Sequence, residues 1–307
     1  MSSIEKIGII GAGAIGVSFA SMFYIKSQNS VSFIAGESRY SELKRDGVVV
    51  NGKRLDIPVY MPGHFPRPPD LVIVAVKHHH LDKAINDLQG VVGDETVILS
   101  FMNGIESEET IGSMLGQEKV LYSIVLGIDA VRISNSTTYS SQGRVFFGET
   151  TNNVHTERVK KIKELFERTG INYVIPDNMI RTLWWKFMIN VGINHVSASL
   201  CAPYSRFQVP GEARSLMDSA MREVMTIAQR QGIDINEKDI KNWYDVLSRL
   251  SPDGKTSMLQ DVEAGRKTEV EMFAGKVIQL GRRFGIPTPV NDALFQKISA
   301  LEVKESF

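Results

Sequence analysis

The sequence predicts an α/β protein in two parts: an N-terminal doubly wound parallel sheet over 1–177 and a mainly α-helical C-terminal domain over 178–307. Three observations predict it. An apolar strand runs straight into Gly11-Ala12-Gly13-Ala14-Ile15-Gly16, strands and helical stretches then alternate, and beyond Pro176-Asp177-Asn178 only helical periodicity is left. At 307 residues the chain also exceeds the roughly 100–200 residues of one typical domain.

Taken in order, Lys6 to Ile10 is an apolar, β-branched strand, and the glycine turn leads into a helix through Val17, Phe19, Ala20 and Phe23. Val31 to Ala35 follows at the spacing of a βαβ unit. Asn51-Gly52, between Val48-Val49-Val50 and Lys53-Arg54-Leu55, is a tight-hairpin signal. Met61 to Pro69 is a proline-rich loop. Leu71 to Val76, Thr96 to Ser100 and Val120 to Leu126 read as buried strands, with helical stretches near 80–90 and 105–115 between them. Val131 to Phe147 alternates apolar with Ser, Thr and Tyr, which predicts antiparallel strands extending the sheet. Val154 to Arg168 is helical and Ile171 to Ile175 a short strand. Helices are then predicted at Ile180 to Ser199, Ala213 to Gln231, Glu237 to Leu250 and Thr268 to Phe284.

Composition narrows the function classes. Hydrophobic residues make up 43% and charged residues 23%, ordinary globular values, and 35 basic residues balance 35 acidic ones. Without a net positive field, nucleic acid and anionic membrane are not expected partners; a small molecule is. A single cysteine, Cys201, cannot form an internal disulfide, which fits a reducing compartment; it reads as a small buried hydrophobe rather than a nucleophile. The start, MSSIEKIGIIGAG, lacks the basic n-region and apolar core of a leader, and no run approaches the ~20 apolar residues of a membrane span. A cytoplasmic protein is expected.

In Gly11-x-Gly13-x-x-Gly16 the first glycine permits a tight turn, the second lets backbone amides approach a pyrophosphate, and the third lets helix and strand pack closely. The helix N-terminus then offers free N–H groups and partial positive charge to phosphate. Flavin dinucleotides use the same turn but need further contacts and a chain organisation not found here, which favours nicotinamide. Past the second strand, Glu37 could accept from adenosine ribose hydroxyls, as for NADH, while Arg39 could hold a 2′-phosphate, as for NADPH.

Lys186, Asn190 and Asn194 stand at i, i+4 and i+8, so they fall on one narrow stripe of a helix that is otherwise almost wholly apolar. Buried polar groups need partners and asparagine is a poor mid-helix residue, so such a seam points to a site; the alternative is a solvated lysine and two core asparagines satisfied by backbone. Ser257 offers a small hydroxyl. Glu269 follows Thr268, which could form a capping box with Glu271 and so put the Glu269 carboxylate in a helix's first turn. Either residue alone could also be a simple cap.

Together these motifs resemble the ketopantoate reductase (2-dehydropantoate 2-reductase) family. The resemblance runs from the Gly11 turn through Val76-Lys77 and Asn103-Gly104 to Trp185-Lys186, Asn190, Asn194 and Ser257-Met258-Leu259-Gln260-Asp261 with Glu269. It implies a Rossmann-type N-terminal domain and a C-terminal domain like that of 6-phosphogluconate dehydrogenase. It also implies NADPH-dependent reduction of the 2-oxo acid 2-dehydropantoate to (R)-pantoate, in pantothenate and coenzyme A synthesis. On this resemblance Lys186 is the general acid and Glu269 assists beside the cofactor. Asn190, Asn194 and Ser257 anchor substrate, and Lys77, Asn103 and Ala130 join Gly11, Ala12, Gly13, Ala14, Ile15 and Gly16 in holding the cofactor. A homodimer is compatible with it.

The sequence also departs from the family pattern. Gly36 stands where many members carry an arginine for the 2′-phosphate, leaving NADH open beside NADPH. Asn194-His195 replaces a common Asn-Pro, and a further polar substrate position falls at or near Tyr204. Reduction of another branched 2-oxo acid, or a non-catalytic dinucleotide sensor, are the competing readings. Three consecutive histidines, His78-His79-His80, would point in different directions, so no metal site is expected. Trp184 and Trp185 read as packing residues, and the basic stretch Arg158-Lys160-Lys161-Lys163, interrupted by glutamates, as a solvated face.

Overall fold

The computed structural model describes residues 3–28 and 30–304; Met1 and Ser2, the start of the stretch read above for a leader, lie outside them. The chain divides into two compact units, Met1–Ile180 and Arg181–Phe307.

Unit 1 carries, in order, β1 (Ile7–Ile10), α1 (Ala14–Lys26), β2 (Val31–Ile34), α2 (Glu37–Asp46), β3 (Val48–Val50), β4 (Lys53–Leu55) and β5 (Val59–Tyr60). It continues with β6 (Leu71–Val74), α3 (Leu81–Leu88), β7 (Val97–Ser100), α4 (Ser107–Leu115), β8 (Val120–Ile128), β9 (Val131–Ile133), β10 (Ser136–Thr138), β11 (Gln142–Gly148), α5 (Glu157–Thr169) and β12 (Tyr173–Val174). The eight-stranded main sheet has the order β12-β11-β8-β7-β6-β1-β2-β5. Strands β5, β2, β1, β6, β7 and β8 run parallel, and β11 is antiparallel to β8. Both faces are covered, which is why the strands read as unbroken apolar runs. Ile7, Ile9, Leu71, Ile73 and Leu99 pack with Phe19 and Phe23 of α1 and Phe166 of α5. Their neighbours Ile10, Val72, Val74 and Ile98 pack with Leu81 and Ile85 of α3 and Ile111 of α4. Strand order reverses at β1, the place where a crevice outside the carboxyl ends of a doubly wound sheet takes its ligand.

The stretch 131–147 departs from expectation. Only β11 extends the main sheet; β9 and β10 join the Asn51-Gly52 hairpin in a separate sheet of order β4-β3-β10-β9. The hairpin itself forms as expected, with Asn51 and Gly52 both at positive φ, as a type I′ turn requires. Asn51 also ties the hairpin to the chain that follows β10: its side-chain oxygen accepts from the Tyr139 N–H at 2.9 Å and its amide donates to the Tyr139 carbonyl at 3.0 Å. Backbone pairing of β10 with β3 completes the graft, and the Tyr139 hydroxyl meets Ser21 of α1 at 3.2 Å. Helix α2 and the short β5 were not legible as elements, and the proline-rich loop contains one 3-10 turn at Pro62–His64.

Unit 2 is helical throughout its described residues: α6 (Met179–Leu200, entering from unit 1), α7 (Ser205–Gln208), α8 (Glu212–Arg230), α9 (Glu237–Leu247), α10 (Ser257–Glu263), a π-helical turn at Glu271–Gly275, α11 (Lys276–Phe284) and α12 (Pro289–Lys304). The capping box expected of Thr268 and Glu271 does not form. Glu302 of α12 accepts from both the N–H and the hydroxyl of Thr268, at 2.7 and 2.5 Å, and Glu271 pairs with Lys267 instead. The Thr268 hydroxyl still accepts from the Val270 N–H at 3.2 Å; the helix begins at Val270, and Glu269 precedes it. Cys201 is also not a buried hydrophobe: it is exposed, at φ +48° just past the end of α6.

Helix α12 is tied to α8 by the Glu223 carboxylate and by the Asn291 amide, which donates to the Ala220 carbonyl at 3.3 Å. Glu223 accepts from the N–H groups of Val290 and Asn291 at 2.8 and 3.0 Å and from the Asn291 amide at 2.7 Å. It thereby serves donors in the first turn of α12 that have no intrahelical partner. Replacing Glu223 with alanine should destabilise the protein by about 2 kcal/mol, read as a lowered urea midpoint at unchanged m-value.

Candidate active site

In unit 1 the glycine turn has the geometry a dinucleotide needs. Gly11 sits at φ +105°, and a Cβ on it would lie 2.3 Å from the Ala75 carbonyl oxygen. A Cβ on Gly16 would lie 1.9 Å from the Gly11 oxygen, so neither position tolerates a side chain. Gly13 is different: a Cβ there would meet nothing within 4 Å. The protein does not need glycine at 13 for its own packing; the open space lies at the N-cap of α1, where no side chain caps the helix and no acidic residue occupies the first turn. That combination suits a pyrophosphate. Ala12 is buried, while Ala14 and Ile15 are half-buried at the first turn.

The other expected cofactor residues follow strands of the same sheet at their carboxyl ends. Lys77 comes after β6 and caps the 3-10 turn His78–His80; Asn103 comes after β7 and Ala130 after β8, all half-buried. Glu37 and Arg39 lie in the first turn of α2 rather than on a strand end. Glu37 is exposed, whereas Arg39 turns back to donate to the Ala12 carbonyl at 2.9 Å inside the glycine turn. Among the described residues no cluster of three or more His, Cys, Asp or Glu could hold a metal, and no helix is long and apolar enough to cross a membrane.

In unit 2 the three polar residues of α6 share one stripe of the helix, and two of them are buried. Lys186 and Asn194 are 7% and 6% exposed on α6, among Leu183, Phe187, Val191 and Ile193, and Asn190 is half-buried on the same stripe. Two sets of contacts bring the remaining expected residues to this helix. Ser197 of α6 meets the Thr256 hydroxyl at 3.2 Å, and Thr256 caps α10, whose first residue is Ser257. Phe273 of the π-turn stacks on Phe187 at 6.0 Å and meets His195 edge-on at 5.8 Å, while its N–H donates to the Glu269 carbonyl. Glu269, 8% exposed, is thus tied to α6 from the side that carries Phe187 and His195. The sequence marked neither Ser197 nor Phe273 for these contacts: a serine and a phenylalanine in helical segments carry no signal of their own.

His195 is fully buried, and neither ring nitrogen makes a hydrogen bond of good geometry. Burial pushes its pKa down to about 3, opposed only weakly by the Val191 carbonyl one turn back, so the ring is neutral beside the seam.

Family models match both parts of the chain. Residues 7–152 match ketopantoate reductase PanE/ApbA, and residues 178–302 match its C-terminal model. The chain belongs to the ketopantoate reductase family. It is accordingly a nicotinamide-dependent oxidoreductase. The 2-dehydropantoate 2-reductase of Aquifex aeolicus is 24% identical over 308 residues, covering 98% of each chain. Among solved structures, D-mandelate dehydrogenase with NADH and anilino(oxo)acetate superposes with a TM-score of 0.89 at 22% identity, over 98% of this chain and all of that one. Dimeric ketopantoate reductase from Staphylococcus aureus superposes at 0.82 and 21% identity, over 98% and 99%. At these identities the superpositions establish a shared fold.

Two outcomes follow from the site. Gly13→Val should fold with an unchanged Tm yet bind reduced nicotinamide dinucleotide at least about tenfold more weakly in a fluorescence titration, because the new side chain fills only the open space. Below pH 6.5 the unfolded chain protonates His195 while the folded chain does not, so stability is full above that pH and falls toward pH 3. The His195→Leu variant should show a shallower acid slope, by up to about 1.4 kcal/mol per pH unit, in urea midpoints compared across that window.

Proposed function

We propose that the protein reduces 2-dehydropantoate to (R)-pantoate, with NADPH as preferred donor and NADH as a possible substitute, in pantothenate and coenzyme A synthesis. The observation that carries this reading is the Lys186-Asn190-Asn194 seam, with Lys186 and Asn194 buried and Asn190 half-buried, a set of polar groups that an apolar helix does not need for packing. The nicotinamide, when bound, supplies a hydride to the ketone carbon. Negative charge then builds on the ketone oxygen, and the residues of unit 2 act there. The Lys186 ammonium faces the charge as it develops and gives its proton to the oxygen, leaving a secondary alcohol and a neutral amine. Asn190, Asn194 and Ser257 hold the substrate's hydroxyl and carboxylate, fixing the carbonyl for attack. Glu269 borders the cofactor and assists the proton's return to Lys186. Gly11 to Gly16, Lys77, Asn103 and Ala130 hold the dinucleotide. The functional unit is a homodimer acting on a free small molecule in the cytoplasm.

A second reading, reduction of a different 2-oxo acid, draws support from two features: the likeness to D-mandelate dehydrogenase and the histidine that follows Asn194. Loss of reduced-nicotinamide absorbance with 2-dehydropantoate, set beside a panel of branched and aromatic 2-oxo acids, separates the two. In either case Lys186→Ala should lower kcat by about 10²–10⁴ with the circular dichroism spectrum retained. Near-normal turnover in that variant would move the proton donor elsewhere.

A further inference from the structure

The carboxyl end of β2 is where a dinucleotide's adenosine ribose is recognised, and it is rich in cations here. Arg39 donates to the Ala12 carbonyl from one terminal nitrogen and pairs with Glu42 through the other at 2.5 Å. Arg132, delivered from β9 of the small sheet, stands within the electrostatic reach of Arg39 and Glu42. Its Nε donates to the Ser134 carbonyl at 2.9 Å, but Nη1 and Nη2 are buried with no hydrogen-bond partner among the described residues. Lys83 of α3 comes from a third direction. A Cβ on Gly36 would lie 3.0 Å from Lys83 Nζ and 3.7 Å from Asp87 Oδ2, so the ammonium occupies the space that a side chain at 36 would claim.

Two guanidinium groups drawn together repel, and buried N–H donors without acceptors are unfavourable; both costs disappear when an anion with several acceptor oxygens joins them. A phosphomonoester is such an anion, and guanidinium forks match its geometry. Glu42 is already committed to Arg39 and does not bond the terminal nitrogens of Arg132. We propose that Arg39 and Arg132, flanked by Lys83, form a phosphomonoester subsite that takes the 2′-phosphate of NADPH and sets the cofactor preference. The proposal rests on the dinucleotide reading of the glycine turn. It assigns to α3 and to the small sheet a role that many family members give to an arginine at the position of Gly36.

The test is calorimetric binding of adenosine 2′,5′-bisphosphate and adenosine 5′-monophosphate, with NADPH and NADH titrated in parallel. The intact protein should favour the 2′-phosphorylated member of each pair by about tenfold or more, and Arg132→Leu should reduce that ratio to below about threefold. A folded Arg132→Leu that weakens both members equally, or neither, overturns the subsite. Should that variant fail to fold, Lys83→Ala on the exposed face of α3 decides: a reduced ratio supports the subsite and an unchanged ratio overturns it. Equal binding of NADH and NADPH by the intact protein overturns the subsite alone. Binding of neither overturns the dinucleotide reading with it.

Discussion

Gly16 of α1 rests on the carbonyl of Gly11 so closely that a methyl group could not come between them. This one backbone contact fixes where α1 begins, how it lies on β1, and therefore where its first-turn N–H groups point. It also fixes the face of α1 on which the second sheet sits, through Ser21 and Tyr139. Around it lie the anion-receptive helix start, the open space at Gly13, and Arg39 of α2. The Arg39 bond to the Ala12 carbonyl ties the last of these back to the first.

In unit 2 the constraint is of another kind. Burying Lys186, Asn194 and Glu269 forgoes hydration that an apolar replacement would not miss, so the surroundings must hold these groups in place. They do so with plain means. A hydroxyl contact from Ser197 to Thr256 anchors the start of α10, and the Phe187-Phe273-His195 cluster anchors the segment that carries Glu269. One hydroxyl contact and one aromatic cluster thus hold the segments that carry Ser257 and Glu269. His195 fits the same logic, because a ring kept neutral by burial adds bulk beside the seam without adding charge.

The parallel strands were legible because two-sided burial writes each as an unbroken apolar run, and the hairpin because only a few residues accept positive φ at both turn positions. Asn51 shows where legibility ends. Its role in the turn is a local signal, but the two bonds it makes to Tyr139 join residues far apart in sequence, as the pairing of β3 with β10 does. The Thr268 box half-formed for a similar reason: its hydroxyl accepts from Val270, but a distant carboxylate, Glu302, takes the N–H expected for Glu271. Spacing on one helix was enough to place Lys186, Asn190 and Asn194 on a single stripe of α6. Arg132 was invisible, since one arginine on a short, otherwise exposed strand differs in nothing from a solubilising charge.

The π-helical turn at Glu271–Gly275 makes the phase of the site depend on residue count. A π-turn accommodates one residue more than an α-turn, and each residue added to or removed from a helix rotates what precedes it by about 100°. Glu269 stands two residues before the turn begins, so its direction relative to α11 depends on that single extra residue. A relative lacking it would have a more regular helix and a carboxylate facing elsewhere, a change that leaves composition almost untouched while altering the chemistry the site can perform.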